Sequence, residues 1–382
     1  MIIGIDASRV NVKKATGVEN YSTNLLLWFK KIDPSNYADG GKYHNQYILY
    51  TPKKDTLELM DFPANFQIRE IPMKRLWTQI RLAYDLFRNA PEIFFIPSHV
   101  MPFLPFKSKK VVTIHDAAFK YFPESYSTFS RNYLDFTTRF AVKRADKIIT
   151  ISETTKDDLV KFYQADESKI QVIHLGYDEP KIKKADFDQN KWNAIREKFK
   201  ITGPYLFYIG RIENKKNIGN LVKAFYEILT SGGELQLVLA GGKGYGFEEI
   251  EKFIKKYNLK DKVILTDYVS EEEKNYLLHH AALFVFLSRY EGFGIPILEA
   301  FYAGVPVVAS KIPVFEELYK DAALLVNPYK TNEIAINILR LLKNEERQKK
   351  MVEKGKELLK KFSWEKCAKE TLEVFYEMEK KR

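Results

Sequence analysis

Two glutamates, Glu291 and Glu299, stand with seven residues between them in the stretch SRYEGFGIPILEAFYAGVPVVAS, residues 288 to 310. The run LFVFLS before it reads as a buried strand, and the Gly-Phe-Gly turn that follows lets a ligand approach the backbone closely. Pro296 suits a first helical position and Gly304 a helix stop, so the pattern predicts a short helix over residues 296 to 303. Glu291 then lies in the loop. Glu299 lies in the first turns, where a helical side chain leans back toward the N-terminus and brings its carboxylate to the same pocket. Both carboxylates can accept hydrogen bonds from hydroxyls. The helix-start amides from Ile295 to Leu298, Ile297 among them, supply donors and the positive end of a dipole for a phosphate. A sugar, a ribose and a diphosphate satisfy these groups together.

A second stretch supplies cations. YLFYIGRIENKKN, residues 205 to 217, reads as a strand ending at Gly210, with Arg211 and Lys216 on the loop beyond it. A guanidinium fork and an ammonium point charge just past a strand end suit a diphosphate whose charge grows as it leaves. VVTIHD, residues 111 to 116, places His115 and Asp116 directly after another strand, where a histidine serves either structure or chemistry. GGKGYG, residues 241 to 246, also follows a strand. Its glycines do not fit the dinucleotide fingerprint, and Asp267 comes late for the ribose acid, so a dehydrogenase is disfavoured. As a flexible loop over a nucleotide the stretch fits.

These groups need a scaffold that delivers strand ends to one place. A chain of 382 residues, 45% hydrophobic and 29% charged, is an ordinary soluble globular sequence with enough length for two cores. Short apolar runs alternate with amphipathic segments: IIGID, YILYT, EIFFIPS, VVTIHD, KIITIS and QVIHLG come first. After a lysine-rich polar stretch the series restarts with YLFYIG, LQLVLAG, KVILTDY, LFVFLS, VPVVAS and ALLVN. Alternation of this kind predicts α/β structure, two doubly wound parallel sheets whose carboxyl-end loops face a ligand across a cleft. The boundary is expected near residues 178 to 195, giving domains over 1–185 and 186–362. A terminal helix over 363–382 follows, with Trp364, Ala368, Leu372 and Phe375 at helical spacing, and it is free to pack back on the first domain.

One cysteine, Cys367, excludes a disulfide framework and a cysteine metal cluster. Asp6 interrupts any signal-peptide core and no apolar run is long enough to span a bilayer, so the expectation is a cytoplasmic protein. The formal net charge of +11 favours anionic partners without choosing among them, and no nucleic-acid-binding signature accompanies it. MKRLWTQIRLAYDLFRN, residues 73 to 89, sets Leu76, Ile80, Ala83 and Phe87 on one face beside Lys74, Arg75, Arg81 and Arg88. Core packing is the expectation for that face, with peripheral contact at the inner membrane face as the alternative.

The glutamate stretch resembles the signature of the retaining glycosyltransferases of the "glycosyl transferases group 1" type, glycosyltransferase family 4. The residues that carry the resemblance are Glu291, Gly292, Phe293, Gly294, Pro296, Leu298, Glu299, Ala300, Gly304, Pro306, Val307, Ala309 and Ser310. Leu287 departs from it, standing where the family commonly has proline. Gly210-Arg211 with Lys216, the loop containing Gly17, and the stretches PSHVMP, ISE and HLGYD are similar to the family as well. The resemblance implies a GT-B architecture, with two Rossmann-like domains, an acceptor-binding one and a donor-binding one. It also implies transfer of a hexose from a nucleotide-diphosphate sugar to a glycan or lipid-linked hydroxyl.

In the family's pattern Arg211 and Lys216 contact the diphosphate, Glu291 the sugar hydroxyls, Glu299 the ribose, and His115 the donor sugar. Gly17 approaches phosphate and acceptor. The base is read by backbone around Tyr268 and Val269. A front-face reaction, the departing phosphate taking the acceptor's proton, is what the family implies. The opening IGIDASR and the stretch TGVENY lean toward GDP-mannose over a UDP-sugar. DFD, residues 186 to 188, has the form of the metal motif of other glycosyltransferases, but it precedes a helix where aspartates cap. No cofactor and no metal is therefore expected. The rival readings are a sugar-nucleotide epimerase of the same fold and a non-catalytic sugar-nucleotide or glycan-binding protein.

Overall fold

The structure, a computed structural model, describes residues 1–10, 17–33, 44–179 and 187–380. It divides into two compact units, one of Met1–Gly176 with Phe362–Arg382 and one of Tyr177–Lys361.

In the first unit seven parallel strands form one sheet in the order β3-β2-β1-β4-β5-β6-β7. They are β1 (Ile2–Asp6), β2 (Gln46–Thr51), β3 (Phe66–Glu70), β4 (Ile93–Ile96), β5 (Lys109–Ile114), β6 (Lys147–Thr150) and β7 (Ile170–Val172). Central strands covered by helices on both faces read as unbroken apolar runs, and β4, IFFI, is buried throughout. The edge strand β3, FQIRE, was not expected from the sequence. Its polar residues Gln67, Arg69 and Glu70 stand on an edge that water reaches, so the apolar alternation that marks a strand is lost.

The second unit holds six parallel strands in the order β10-β9-β8-β11-β12-β13. They are β8 (Tyr205–Ile209), β9 (Gln236–Ala240), β10 (Val263–Asp267), β11 (Leu283–Phe286), β12 (Val307–Ser310) and β13 (Ala323–Val326). In both sheets the chain order reverses beside the first strand of the unit, which is where open α/β sheets place ligands at their carboxyl ends. Asp188 caps the helix Gln189–Phe199 by accepting the Asn190 amide at 2.7 Å; Asp186 lies outside the described residues.

The helix Trp364–Glu379 belongs to the first unit. Trp364, Ala368, Leu372 and Phe375 are buried, and Phe375 meets Phe95 and Phe29 at ring separations of 5.3 and 6.3 Å. A buried polar knot holds its far end. Asp33 Oδ2 accepts from the Asn45 side chain at 2.8 Å and from Tyr47 at 2.9 Å, and the same Asn45 amide donates to Tyr376 at 2.6 Å.

The segment from residue 73 to 89 corrects its expected face. Ala83 is buried, but with Trp77, Leu82 and Leu86, while Leu76, Ile80 and Phe87 stand exposed. The reason is local. Residues Thr78–Leu82 wind as a π-helix, which rotates the following turn away from the phase that a regular α-helix predicts.

Candidate active site

The carboxyl end of β8 opens into a loop that its neighbour braces. Gly210 donates its amide to Ala240 O, Ile212 to Gly242 O, Asn214 to Tyr245 O, and Gly244 back to Ile212 O, all at 2.9 Å. Gly241, at φ +137°, allows this approach: a Cβ there would stand 2.1 Å from Gly210 O. The glycine-rich stretch 241–246, expected as a flexible loop, is thus laced to the cationic loop as a short extra bridge.

From this base a single 3-10 turn, Asn214–Lys216, lifts Lys216 toward the loop after β11. Lys216 Nζ lies 2.5 Å from Glu291 Oε1 and 5.7 Å from the Phe286 ring. Arg289 stitches the two loops together: its amide donates to Lys215 O and its Nε to Asn217 Oδ1, both at 3.0 Å. Asn217 in turn donates to Pro328 O at 2.7 Å, so the loops after β8, β11 and β13 are held as one piece. The Lys216–Glu291 pair is therefore set by backbone and by a third side chain, independently of any ligand.

Glu299 sits on the helix Ile295–Ala303, entered through Gly294 at φ +100° and closed by the Gly304 amide on Ala300 and Phe301 carbonyls. A second lysine meets it. Lys274 Nζ lies 2.9 Å from Glu299 Oε1 and 2.7 Å from Glu271, and the Lys274 and Glu299 side chains are each 14% exposed. Burial pushes the Glu299 carboxyl above the usual range, and the Lys274 ammonium opposes it. Burial alone would lower Lys274, but the Glu299 and Glu271 carboxylates outweigh it and hold the ammonium above its usual value.

Other expected residues fall as follows. Arg211 is 69% exposed, its Nε 4.0 Å from Glu213, and among the described residues it pairs with neither glutamate. Of the helix-start amides, Pro296 has none, and Ile297 donates its own to Gly294 O at 2.9 Å. Gly292, Phe293 and Leu298 are buried around the turn, Val269 is buried and Tyr268 exposed.

In the first unit His115 follows β5. Its Nε2 donates to Pro97 O at 2.9 Å, the Thr155 hydroxyl donates to His115 O at 3.2 Å, and the ring meets Tyr21 edge-on at 4.8 Å. Burial lowers its pKa, so the ring is neutral at pH 7 with Nδ1 left as an acceptor. Gly17 opens the helix Gly17–Ile32, and a Cβ there would meet nothing within 4 Å.

Comparison with known proteins places this geometry. Residues 190–358 match the family Glycosyl transferases group 1, and residues 45–180 match Glycosyltransferase Family 4. The O-antigen chain mannosyltransferase RfbU of Salmonella typhimurium is 32% identical over 334 residues, 85% of this chain and 86% of that protein. The chain belongs to the group 1 glycosyltransferases. The O-antigen chain mannosyltransferase B of Escherichia coli is 26% identical over 80% of this chain and 77% of its own. Among solved structures, Anabaena Alr3699/HepE in complex with UDP and glucose matches with a TM-score of 0.71 at 16% identity, covering 98% of this chain and 99% of that one. The glycosyltransferase thus has the GT-B fold, each unit a parallel sheet wrapped by helices.

Two residues of this glycosyltransferase escaped sequence reasoning. Lys274 lies in the charged run SEEEKNYLL, which looks like a solvated face, and its partner is 25 residues away, so only the fold reveals the contact. His99, in the PSHVMP stretch, has a buried Nε2 with no hydrogen-bond partner among the described residues. Burial pushes its pKa from 6.5 down to about 4, with the Asp116 charge opposing and His115 and Arg9 adding to the fall.

A histidine held neutral in this way stabilises the fold fully above pH 6.5, and that stability is lost as the pH falls from 6.5 toward 4, because only the unfolded chain takes up the proton. Between pH 7 and pH 5 the loss from His99 is expected to be about 2 kcal/mol. Urea unfolding at the two pH values should show a smaller fall for His99→Gln than for the natural chain. Equal falls would contradict this reading of the ring.

Proposed function

We propose that this glycosyltransferase moves a hexose, mannose in first place, from a nucleotide-diphosphate sugar to a hydroxyl of a glycan or lipid-linked acceptor. The anomeric configuration is retained and no metal takes part. The observation that carries the reading is the Lys216–Glu291 pair, fixed at 2.5 Å on loops braced from three strand ends. The names of the two mannosyltransferase relatives favour mannose and hence GDP-mannose; the nucleotide in the HepE complex keeps a UDP-sugar as the alternative donor.

In this reading the second unit takes the donor and the first the acceptor. Lys216 and Arg211 hold the diphosphate, Glu291 accepts from sugar hydroxyls, and Glu299 accepts from the ribose. Peptide groups around Tyr268 and Val269 read the base. His115 accepts from a sugar hydroxyl through Nδ1, since Nε2 is committed to Pro97. Gly17 leaves room for phosphate and acceptor at the helix start.

The bond from the anomeric carbon to the phosphate oxygen breaks with its electron pair going to the diphosphate. The acceptor oxygen bonds to the same face, and its proton passes to the departing phosphate. Lysine and arginine lower the barrier because their charge is already in place where negative charge develops. They also supply the charge that a divalent cation gives in metal-dependent enzymes. Such a reaction belongs on the cytoplasmic side, at the inner face of a membrane when the acceptor is a lipid.

The test is an incubation with GDP-mannose and UDP-glucose in EDTA, with and without a mannose-bearing acceptor, read by mass spectrometry and by NMR of the anomeric proton. Acceptor-dependent release of nucleoside diphosphate and an axial linkage are expected. An inverted linkage, or turnover only with added metal, would overturn the mechanism.

A further inference from the structure

The first unit carries an apolar surface that its own core does not use. After β3, Leu76, Ile80, Tyr84 and Phe87 stand exposed about one helical turn apart. On the helix Thr128–Arg144, Phe129, Tyr133 and Phe136 form a second exposed stripe, Phe129 at 80% exposure.

The loop after β4 joins the stripes. Gln79 donates to Met101 O at 3.1 Å and accepts the Phe103 amide at 3.0 Å. The Phe103 ring then meets Phe136 and Phe140 edge-on at 5.4 and 4.9 Å, with Leu104 exposed beside it. Large apolar side chains contiguous over two helical stripes and a joining loop mark a surface that something covers.

The charge around the patch says what. Lys74, Arg75, Arg81 and Arg88 are exposed along the first stripe, Lys107 on the loop, and Arg139 on the helix. Of the acids nearby, Asp85 pairs with Arg69 at 2.6 Å, and Asp135 with Lys120 and, at 3.9 Å, with Arg139. An apolar centre with a cationic margin is complementary to an anionic bilayer, whose acyl boundary takes the rings and whose phosphates take the cations.

We propose that this face seats the protein on an anionic lipid surface, with Leu76, Ile80, Phe87, Phe129, Tyr133 and Phe136 entering the interface. The joining loop leaves the carboxyl end of β4 and His115 leaves that of its neighbour β5. The joining loop of this face therefore lies at the same end of the sheet as His115, the end a lipid-linked acceptor must reach. The surface rests on the proposed function for its purpose, but its contact with lipid requires no turnover.

The experiment sediments the full chain with vesicles of phosphatidylcholine, with and without phosphatidylglycerol. Partition is expected to be at least about tenfold stronger into the anionic vesicles and to weaken with salt. Two double variants, Leu76→Ser with Phe87→Ser and Phe129→Ser with Phe136→Ser, should each lose about tenfold in partition while melting at the same temperature, because the replaced side chains lie outside the core.

Failure of the natural chain to sediment with anionic vesicles, or variants that sediment as well as it does, would overturn the proposal. So would a natural chain that is dimeric in light scattering and becomes monomeric in both variants, since a second copy would then cover the face. Nucleotide-sugar turnover is measured on the same samples. Turnover without vesicle binding removes only this surface, whereas vesicle binding without turnover removes the transfer reading and leaves the surface.

Discussion

Replacing Lys216 with alanine is expected to lower kcat/KM for the donor about 10²- to 10³-fold, with the protein still folded. The ammonium has two tasks here. It neutralises Glu291, whose side chain is only 14% exposed, and in the proposed mechanism it faces the diphosphate whose charge grows in the transition state. Without it the carboxylate stays where it is, because Arg289 still ties the loop to Asn217 and Lys215, and its charge then repels the leaving group. The loss should fall mainly on kcat, since charge that develops in the transition state is what goes unmet. Lys216→Ala combined with Glu291→Gln should lose less than the sum of the two, because each single change leaves its partner uncompensated. Steady-state kinetics on the four proteins measures this. Strict additivity, or a Lys216→Ala variant within threefold of the natural chain, would count against the assigned role.

The second large effect is expected at Lys274. Lys274→Met keeps the length and removes the charge, leaving Glu299 enclosed without its cation. Burial already raises the Glu299 carboxyl, and Glu271 and Asp178 push it the same way; only Lys274 pulls it down. In the variant the carboxyl therefore takes up a proton at a higher pH, and the donor KM should begin to rise on acidification at a higher pH than in the natural chain. Discrimination between ribose and 2′-deoxyribose donors should fall by about tenfold as the hydroxyl acceptor weakens.

Stability follows with a definite sign. The raised Lys274 contributes stability present below its ordinary value of 10.5 and lost as the pH rises through its folded value. The raised Glu299 works the other way, its cost growing as the pH rises above its ordinary 4.5. At neutral pH the variant thus loses the favourable member and keeps the unfavourable one, a deficit of about 3 kcal/mol that should shrink toward pH 5. A variant with an unchanged pH profile and unchanged ribose discrimination would leave Lys274 a structural lysine only.

The sequence revealed most where one residue type has one physical use. All six strands of the second unit and the short helix around Glu299 stand where apolar runs, Pro296 and Gly304 put them, with the helix start moved by one residue. Edge strand β3 was hidden because its outer side is wet and its pattern is polar. The inward face of the segment after β3 was misread because a π-turn breaks the period that the reading assumes.

At the site, local motifs pointed to Glu291 and Lys216, but not to their pairing, which depends on two loops brought together through Arg289. Lys274 had no local sign at all. A lysine after three glutamates looks like solvated surface until the fold places it against a buried carboxylate. The aromatic stripe of the helix Thr128–Arg144 was not singled out in the sequence, and the fold turns it outward.

Calorimetric titration of GDP-mannose and UDP-glucose into the natural chain and into Lys216→Ala, both in EDTA, tests the central claim most directly. The account predicts that at least one of the two sugar nucleotides binds the natural chain without metal and binds the variant at least about tenfold more weakly, a loss of about 1.4 kcal/mol or more. Equal affinity for both proteins, or binding that appears only when a divalent cation is restored, would show that Lys216 does not hold the diphosphate.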